Sequence, residues 1–258
     1  MEPANALALL EWQIELGVTE AIGDAPVNRY EVPAEAPKVK TSAAKRSKPA
    51  PGPVDAIDPV AMAQAAAAEA DSLETLAFAL GAFEHCELKR GARNLVFSDG
   101  MPEARVMIIG EAPGRDEDLQ GRPFVGAAGQ LLDKMFGAIG MARDAAKPEA
   151  AIYITNILPW RPPQNRDPLP EEIDMMLPFV RRHIQLAAPD LLVLMGNIAC
   201  QALLGRKGIT RLRGSWETVM DRPTLPIFHP AYLLRNPAAK REAWADLLAL
   251  QARLREMS

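Results

Sequence analysis

Four short apolar runs, at residues 105–110, 151–157, 191–195 and 225–228, are each followed by a turn and then by apolar residues at helical spacing. The runs are continuous rather than alternating, so strands built from them need cover on both faces, as in a parallel sheet between helices. The expected fold class is therefore α/β, a three-layer α/β/α domain around a short, parallel, four-stranded sheet. Helices are expected over 128–139, 170–186, 198–204 and 238–255, the last behind Asn236-Pro237, an N-cap followed by a first-turn proline. Asp71-Ser72 makes a good N-cap ahead of Leu73, Leu76, Ala77 and Leu80, and order is expected to begin there. Ligands of such sheets sit outside the carboxyl ends of the strands, which directs attention to the residues just after each run.

The chain ahead of residue 71 has a different character. Residues 7–18, with Leu7, Leu9, Leu10, Trp12, Ile14, Leu16 and Val18, have the apolar density of one short helix, which gives a helical segment over 1–24. Seven prolines between 25 and 59, with Lys38, Lys40, Lys45, Arg46 and Lys48 among them, leave too little apolar surface to order the chain. Residues 25–70 are read as a Pro/Ala-rich flexible linker and 71–258 as the folded domain. The formal charge of -4 falls on residues 1–70, where 6 Lys and Arg face 10 Asp and Glu. Residues 206–241 instead carry eight Lys and Arg against Glu217 and Asp221, so a polyanionic partner is allowed.

No run approaches the roughly 20 apolar residues of a membrane span, and Met1-Glu2-Pro3-Ala4-Asn5 lacks the basic and apolar regions of a signal peptide. A cytoplasmic protein without membrane contact is expected, nucleoid-associated if bacterial. Cys86 and Cys200 fit no ligand spacing such as a CxxC pair, so neither a metal nor another cofactor is expected.

The strand ends hold unusual sequence. After the first run, Gly110 to Asp118 bring Glu111, Asp116, Glu117 and Asp118 to the sheet edge, and Phe124 follows between Pro123 and Gly126. Such a phenylalanine is either a loop anchor in the core or a stacking platform for a flat ligand. Gly126 to Gly129 open the next helix, whose free N–H groups suit a phosphate or a base carbonyl. After the second run come Asn156 and a stiff loop, 159–168, with Arg161, Asn165 and Arg166. After the fourth, His229 is followed by Tyr232, Leu233 and Leu234 next to Arg235, a pattern that suits a wedge into a base stack. A solvated acidic loop, a stiff connector and a structural histidine are the plainer readings of these three places.

The segments GEAPGRDEDLQGRPFVGAAGQLLDKM, YITNILPWRPPQNRDPLPEEI, LLVLMGNIACQALLG, ITRLRG and FHPAYLLRNP, in this order and spacing, resemble the family 4 uracil-DNA glycosylases over nearly all of residues 71–250. The resemblance implies a monofunctional enzyme, expected to act as a monomer on single- or double-stranded DNA containing uracil. It would flip deoxyuridine out of the helix, hydrolyse the N-glycosidic bond and leave abasic DNA as product. By similarity, Glu111 positions or activates water and stabilises the cationic sugar, with Glu117 as a second acid, and His229 donates toward uracil O2. Phe124 stacks on the ring, Asn156 pairs with its polar edge and Ala112 contributes backbone N–H. Asn165, Tyr232 and the Leu233-Leu234 wedge grip the flipped geometry, while Arg213 and Arg235 are candidates for phosphate contacts. The alternatives are a non-catalytic uracil- or abasic-site-binding protein and a glycosylase preferring hypoxanthine or xanthine. In one respect the chain departs from the family. The resemblance places four cluster-ligating cysteines where this sequence has Phe83, Cys86, Trp160 and Met176, so a cluster-free relative with an apolar plug is expected.

Overall fold

The computed structural model describes residues 58–257. The helical segment expected over 1–24 and the linker up to residue 57 lie outside the described residues. Order starts earlier than residue 71. Helix α1 (Pro59–Glu69) begins on Asp58, whose carboxylate accepts from the Val60 N–H at 2.9 Å. Pro59 has the composition of the linker, but the residues behind it are mostly alanine, the strongest helix former. Ala63 and Ala67, one turn apart and buried, let α1 pack closely on helix α6 (Pro170–Ala187). Arg182 of α6 fastens the joint, donating from Nε and Nη2 to the Ala70 carbonyl at 2.9 and 2.7 Å. Helix α2 (Leu73–Ala82) starts where expected, on a reciprocal cap in which Ser72 and Thr75 each accept the other's N–H.

The sheet has six strands: β1 (Asp99–Gly100), β2 (Val106–Gly110), β3 (Ile152–Asn156), β4 (Leu191–Met195), β5 (Glu217–Val219) and β6 (Arg222–Ile227). Their order is β1-β3-β2-β4-β6-β5. The four expected strands form its parallel centre, and two short antiparallel edges extend it. These edges are only two and three residues long, too short to carry a periodic signal. Every residue of β2, β3 and β4 is buried, as continuous apolar runs require. Burial of each large aliphatic side chain here contributes about 1.5–3 kcal/mol. The covering helices include α5 (Ala127–Gly137), α6, α7 (Gly196–Leu204) and α10 (Lys240–Glu256). A 3-10 turn, Pro237–Ala239, precedes α10, and the Asn236 amide donates back to the Tyr232 carbonyl instead of capping the helix. No described helix is long and apolar enough to cross a membrane.

The chain passes from β2 to β3 on one side and then to β4 on the other, which opens a crevice at the carboxyl end of β2. Gly110 lies opposite Asn156 and Met195 opposite Ile227, so Glu111, Asn156, Gly196 and His229 gather along one edge.

Behind β3 the ring of His183 stacks on Phe97 at 4.4 Å, and its Nε2 lies 2.9 Å from the Tyr153 hydroxyl. Burial pushes its pKa down to about 3. The folded chain therefore refuses a proton that the unfolded chain takes up, so the stability due to this neutral histidine is full above about pH 6.5 and is lost as pH falls toward the folded value. Between pH 7 and 5 the wild type is expected to lose about 2 kcal/mol more stability than His183→Gln, read from urea unfolding at both pH values. Parallel pH profiles for the two proteins would contradict this.

Candidate active site

Gly110 ends β2 and packs against two residues of the site, Asn156 and Phe124. A Cβ there would lie 2.4 Å from Asn156 Oδ1 and 2.6 Å from the Phe124 ring, so only a hydrogen fits. The following turn leads into helix α4 (Arg115–Gln120), and Glu117 on it faces backward. Its Oε1 accepts from the N–H groups of Val125 and Gly126 at 2.9 Å each, and its Oε2 accepts from Gly114 N–H at 3.1 Å. A carboxylate holding three backbone donors is a buckle between two walls of the cavity, and this corrects the expectation of a second catalytic acid. It also takes the Gly126 N–H that the opening of α5 had offered to a phosphate or a base. Asp118 is likewise structural: it is buried and accepts from the Arg93 and Asn94 N–H groups.

A cavity of about 290 Å³ opens at this strand end, lined by Glu111, Ala112, Phe124, Asn156, Asn165 and His229 among others. Phe124 and His229 stack with ring centroids 5.4 Å apart. Asn156 is buried, and its Oδ1 has no hydrogen-bond partner. An orphaned buried acceptor is costly unless a ligand satisfies it. His229 caps helix α9 (Pro230–Arg235), its Nδ1 accepting from Ala231 N–H at 3.1 Å. That bond leaves the ring proton on Nε2, which is then a donor. Burial, helped by Arg235, pushes the His229 pKa down to about 4, so the ring is neutral at physiological pH. The pKa of Glu111 is raised, first by burial and then by the Asp167 carboxylate. A neighbouring cavity of about 370 Å³ shares Glu111, Asn165, His229 and Arg235 and adds Asp167, Asn197 and Tyr232 to the lining.

Several of the residues expected to contact DNA line the cavities or are exposed at their rim. Arg235 is exposed and lines both cavities, Leu234 is 46% exposed beside it, and Tyr232 is half-buried with its ring stacked on Phe228. Asn165 is exposed, its Oδ1 accepting from Arg161 Nε at 2.7 Å. Two expectations are corrected. Leu233 is 1% exposed and belongs to the core: it lies on the inward face of α9, about 100° around the helix from Leu234. Arg213 grips the buried Asp246 with Nε and Nη2, donates to the Glu242 carbonyl and lies over the Phe228 ring, so its charge is already matched within the fold. Sequence reasoning missed Asp167 and the fork by which Arg166 holds Glu172 at 2.6 and 2.9 Å, locking the stiff loop onto α6. Only the charge alternation in the NRDPLPEE segment hinted at this lock.

A profile of the uracil-DNA glycosylase superfamily matches residues 97–248. The chain is 36% identical over 185 residues to a type-4 uracil-DNA glycosylase of Archaeoglobus fulgidus, an alignment that covers 68% of this chain and 90% of the relative. The chain belongs to the uracil-DNA glycosylase superfamily. A type-4 enzyme of Sulfurisphaera tokodaii is 36% identical over 66% of this chain and 80% of its own length. One from Thermotoga maritima is 38% identical over 58% and 77%. Membership makes this chain a DNA-repair glycosidase, and the catalytic layout is to be sought in the cavity just described.

Membership also poses the question of an iron-sulfur cluster. Phe83, Cys86, Trp160 and Met176 are all buried in the one apolar core, and Phe83 packs edge-on against Phe179 at 5.4 Å. The single thiol among them has its pKa raised, chiefly by burial, which favours the neutral form over a ligating thiolate. Three apolar side chains and one protonated thiol do not fit a cluster that needs four thiolates.

Proposed function

We propose that this enzyme flips deoxyuridine out of DNA, single- or double-stranded, hydrolyses its N-glycosidic bond and leaves an abasic site. The observation that carries this reading is the grouping in one cavity of an aromatic platform, a buried amide with an orphaned oxygen and an imidazole whose Nε2 is fixed as a donor. In this pose Phe124 stacks on the flipped ring, and Asn156 Oδ1 accepts the uracil N3–H while its amide donates to O4. Bond cleavage sends the electron pair of the N1–C1′ bond into uracil and leaves C1′ as an oxocarbenium-like cation. His229 Nε2–H meets the charge growing on O2, a donor already in place that need not reorganise. Glu111 faces the cation and orients the water whose hydroxyl adds to C1′, taking the water's remaining proton, which then neutralises the departing uracil anion. Ala112 backs the turn that carries Glu111, Leu234 takes the space left by the flipped base, and Arg235, Asn165 and Tyr232 hold the backbone around it.

The reading is tested with equal amounts of oligonucleotides carrying one uracil, hypoxanthine, xanthine or thymine. Free uracil and an alkali-labile abasic site are expected from the first, with the other three intact. Retention of uracil-containing DNA without free base would replace the enzyme by a binding module. Faster release of hypoxanthine or xanthine would reassign the substrate.

A further inference from the structure

We propose that Arg143 is a positioning residue for this reaction, holding the backbone of Phe124 so that its ring serves as the platform for the base; the proposal rests on the reading of Phe124 given above. Phe124 has a φ of +53°, in the left-handed region that an aromatic residue rarely occupies. Such a conformation persists only where the surroundings over-determine it. Here the restraint has a named source. The Arg143 guanidinium donates from Nη1 to the Pro123 carbonyl at 3.1 Å and from Nη2 to the Phe124 carbonyl at 2.9 Å. Two successive carbonyls on one planar fork fix the peptide between them.

The fork is itself fixed. Nη1 also donates to Asp99 Oδ2 at 2.7 Å, while Nη2 and Nε donate to Asp133 Oδ1 at 2.8 and 3.0 Å. The five bonds use the five N–H groups of a guanidinium, and the side chain is 16% exposed. Asp133 stands on α5 and Asp99 on β1, opposite Ile154 of the strand that ends in Asn156. The clasp therefore ties the platform to the same strand that carries the base-reading amide. Gly129 allows this close seat, since a Cβ there would lie 1.8 Å from the Phe124 oxygen. Arg143 is not among the cavity-lining residues, so any effect on the base passes through Phe124.

The test is a double-mutant cycle with a structural readout beside it. Arg143→Gln is expected to slow single-turnover uracil release by roughly a hundredfold, the cost of a small misplacement at the reacting geometry, with a much smaller loss of abasic-DNA binding. Arg143→Lys should recover little, because an ammonium has no planar fork. In a Phe124→Ala background, Arg143→Gln should cost almost nothing further. Fluorine NMR of fluorophenylalanine at position 124 in the ligand-free protein should show a shifted or broadened signal in Arg143→Gln. Should that variant fail to fold, Asp133→Asn, which removes one anchor and keeps the arginine, takes its place with the same expected non-additivity. Equal losses in both backgrounds, or an unchanged fluorine signal, would overturn the proposal. A wild type that releases no uracil would instead defeat the functional reading, and the fluorine signal would still decide the role of Arg143.

Discussion

Replacing His229 by alanine is expected to slow single-turnover uracil release about 100- to 1,000-fold, the usual cost of removing a preorganised donor to a developing anion. Abasic-DNA binding should stay nearly unchanged, because the donor is needed where charge grows on the leaving base and not where product is held. The tautomer decides the role of the ring. Ala231 N–H occupies Nδ1, so the ring proton resides on Nε2. With the pKa pushed down to about 4, the ring is a neutral donor throughout the neutral range. A charged imidazolium would require Nδ1 to give up the Ala231 bond. No rate change should therefore appear near pH 6.5, where an ordinary histidine titrates. Loss of release and of abasic-DNA binding by the same factor would make His229 a fold residue instead.

For Glu111→Gln the expected loss is about a hundred- to ten-thousandfold, with uracil-containing DNA still bound. Glutamine keeps the shape of the side chain and removes the charge that faces the cationic sugar. The ionised form is the useful one, and burial and Asp167 both oppose it. Release in the wild type should therefore rise with pH through a value above the 4.5 of an ordinary glutamate. Asp167→Asn removes the repulsion and should move that acid limb to lower pH, with the plateau retained. A Glu111→Gln enzyme with a wild-type plateau would leave the carboxylate without a catalytic task.

What the sequence disclosed was the part of the fold that periodic burial writes into it. The β2, β3 and β4 runs are continuous because both faces are covered, and β6 shares their place at the parallel centre of the sheet. The edge strands β1 and β5 are too short to leave a pattern, and α1 shares its first proline with linker composition while its alanines bury little surface each. In the candidate site, residue types at the strand ends located Glu111, Phe124, Asn156 and His229 on the cavity wall. What they could not disclose was partnership across long stretches of chain. Arg213 reads as a free cation until Asp246 is found against it, and Glu117 reads as an acid until three backbone N–H groups are found pointing at it. Leu233 and Leu234 are equivalent in sequence, and the orientation of the short helix α9 decides which one is exposed.

The whole mechanism turns on the proposal that Glu111 and His229 work on a uracil seated between Phe124 and Asn156. Its most direct test is single-turnover release of labelled uracil, from single strands and opposite guanine, by the wild type, Glu111→Gln and His229→Ala. Release by the wild type and its collapse in both variants are expected, with all three proteins still binding abasic DNA. Release at the wild-type rate by either variant, or none by a wild type that still binds uracil-containing DNA, would contradict it.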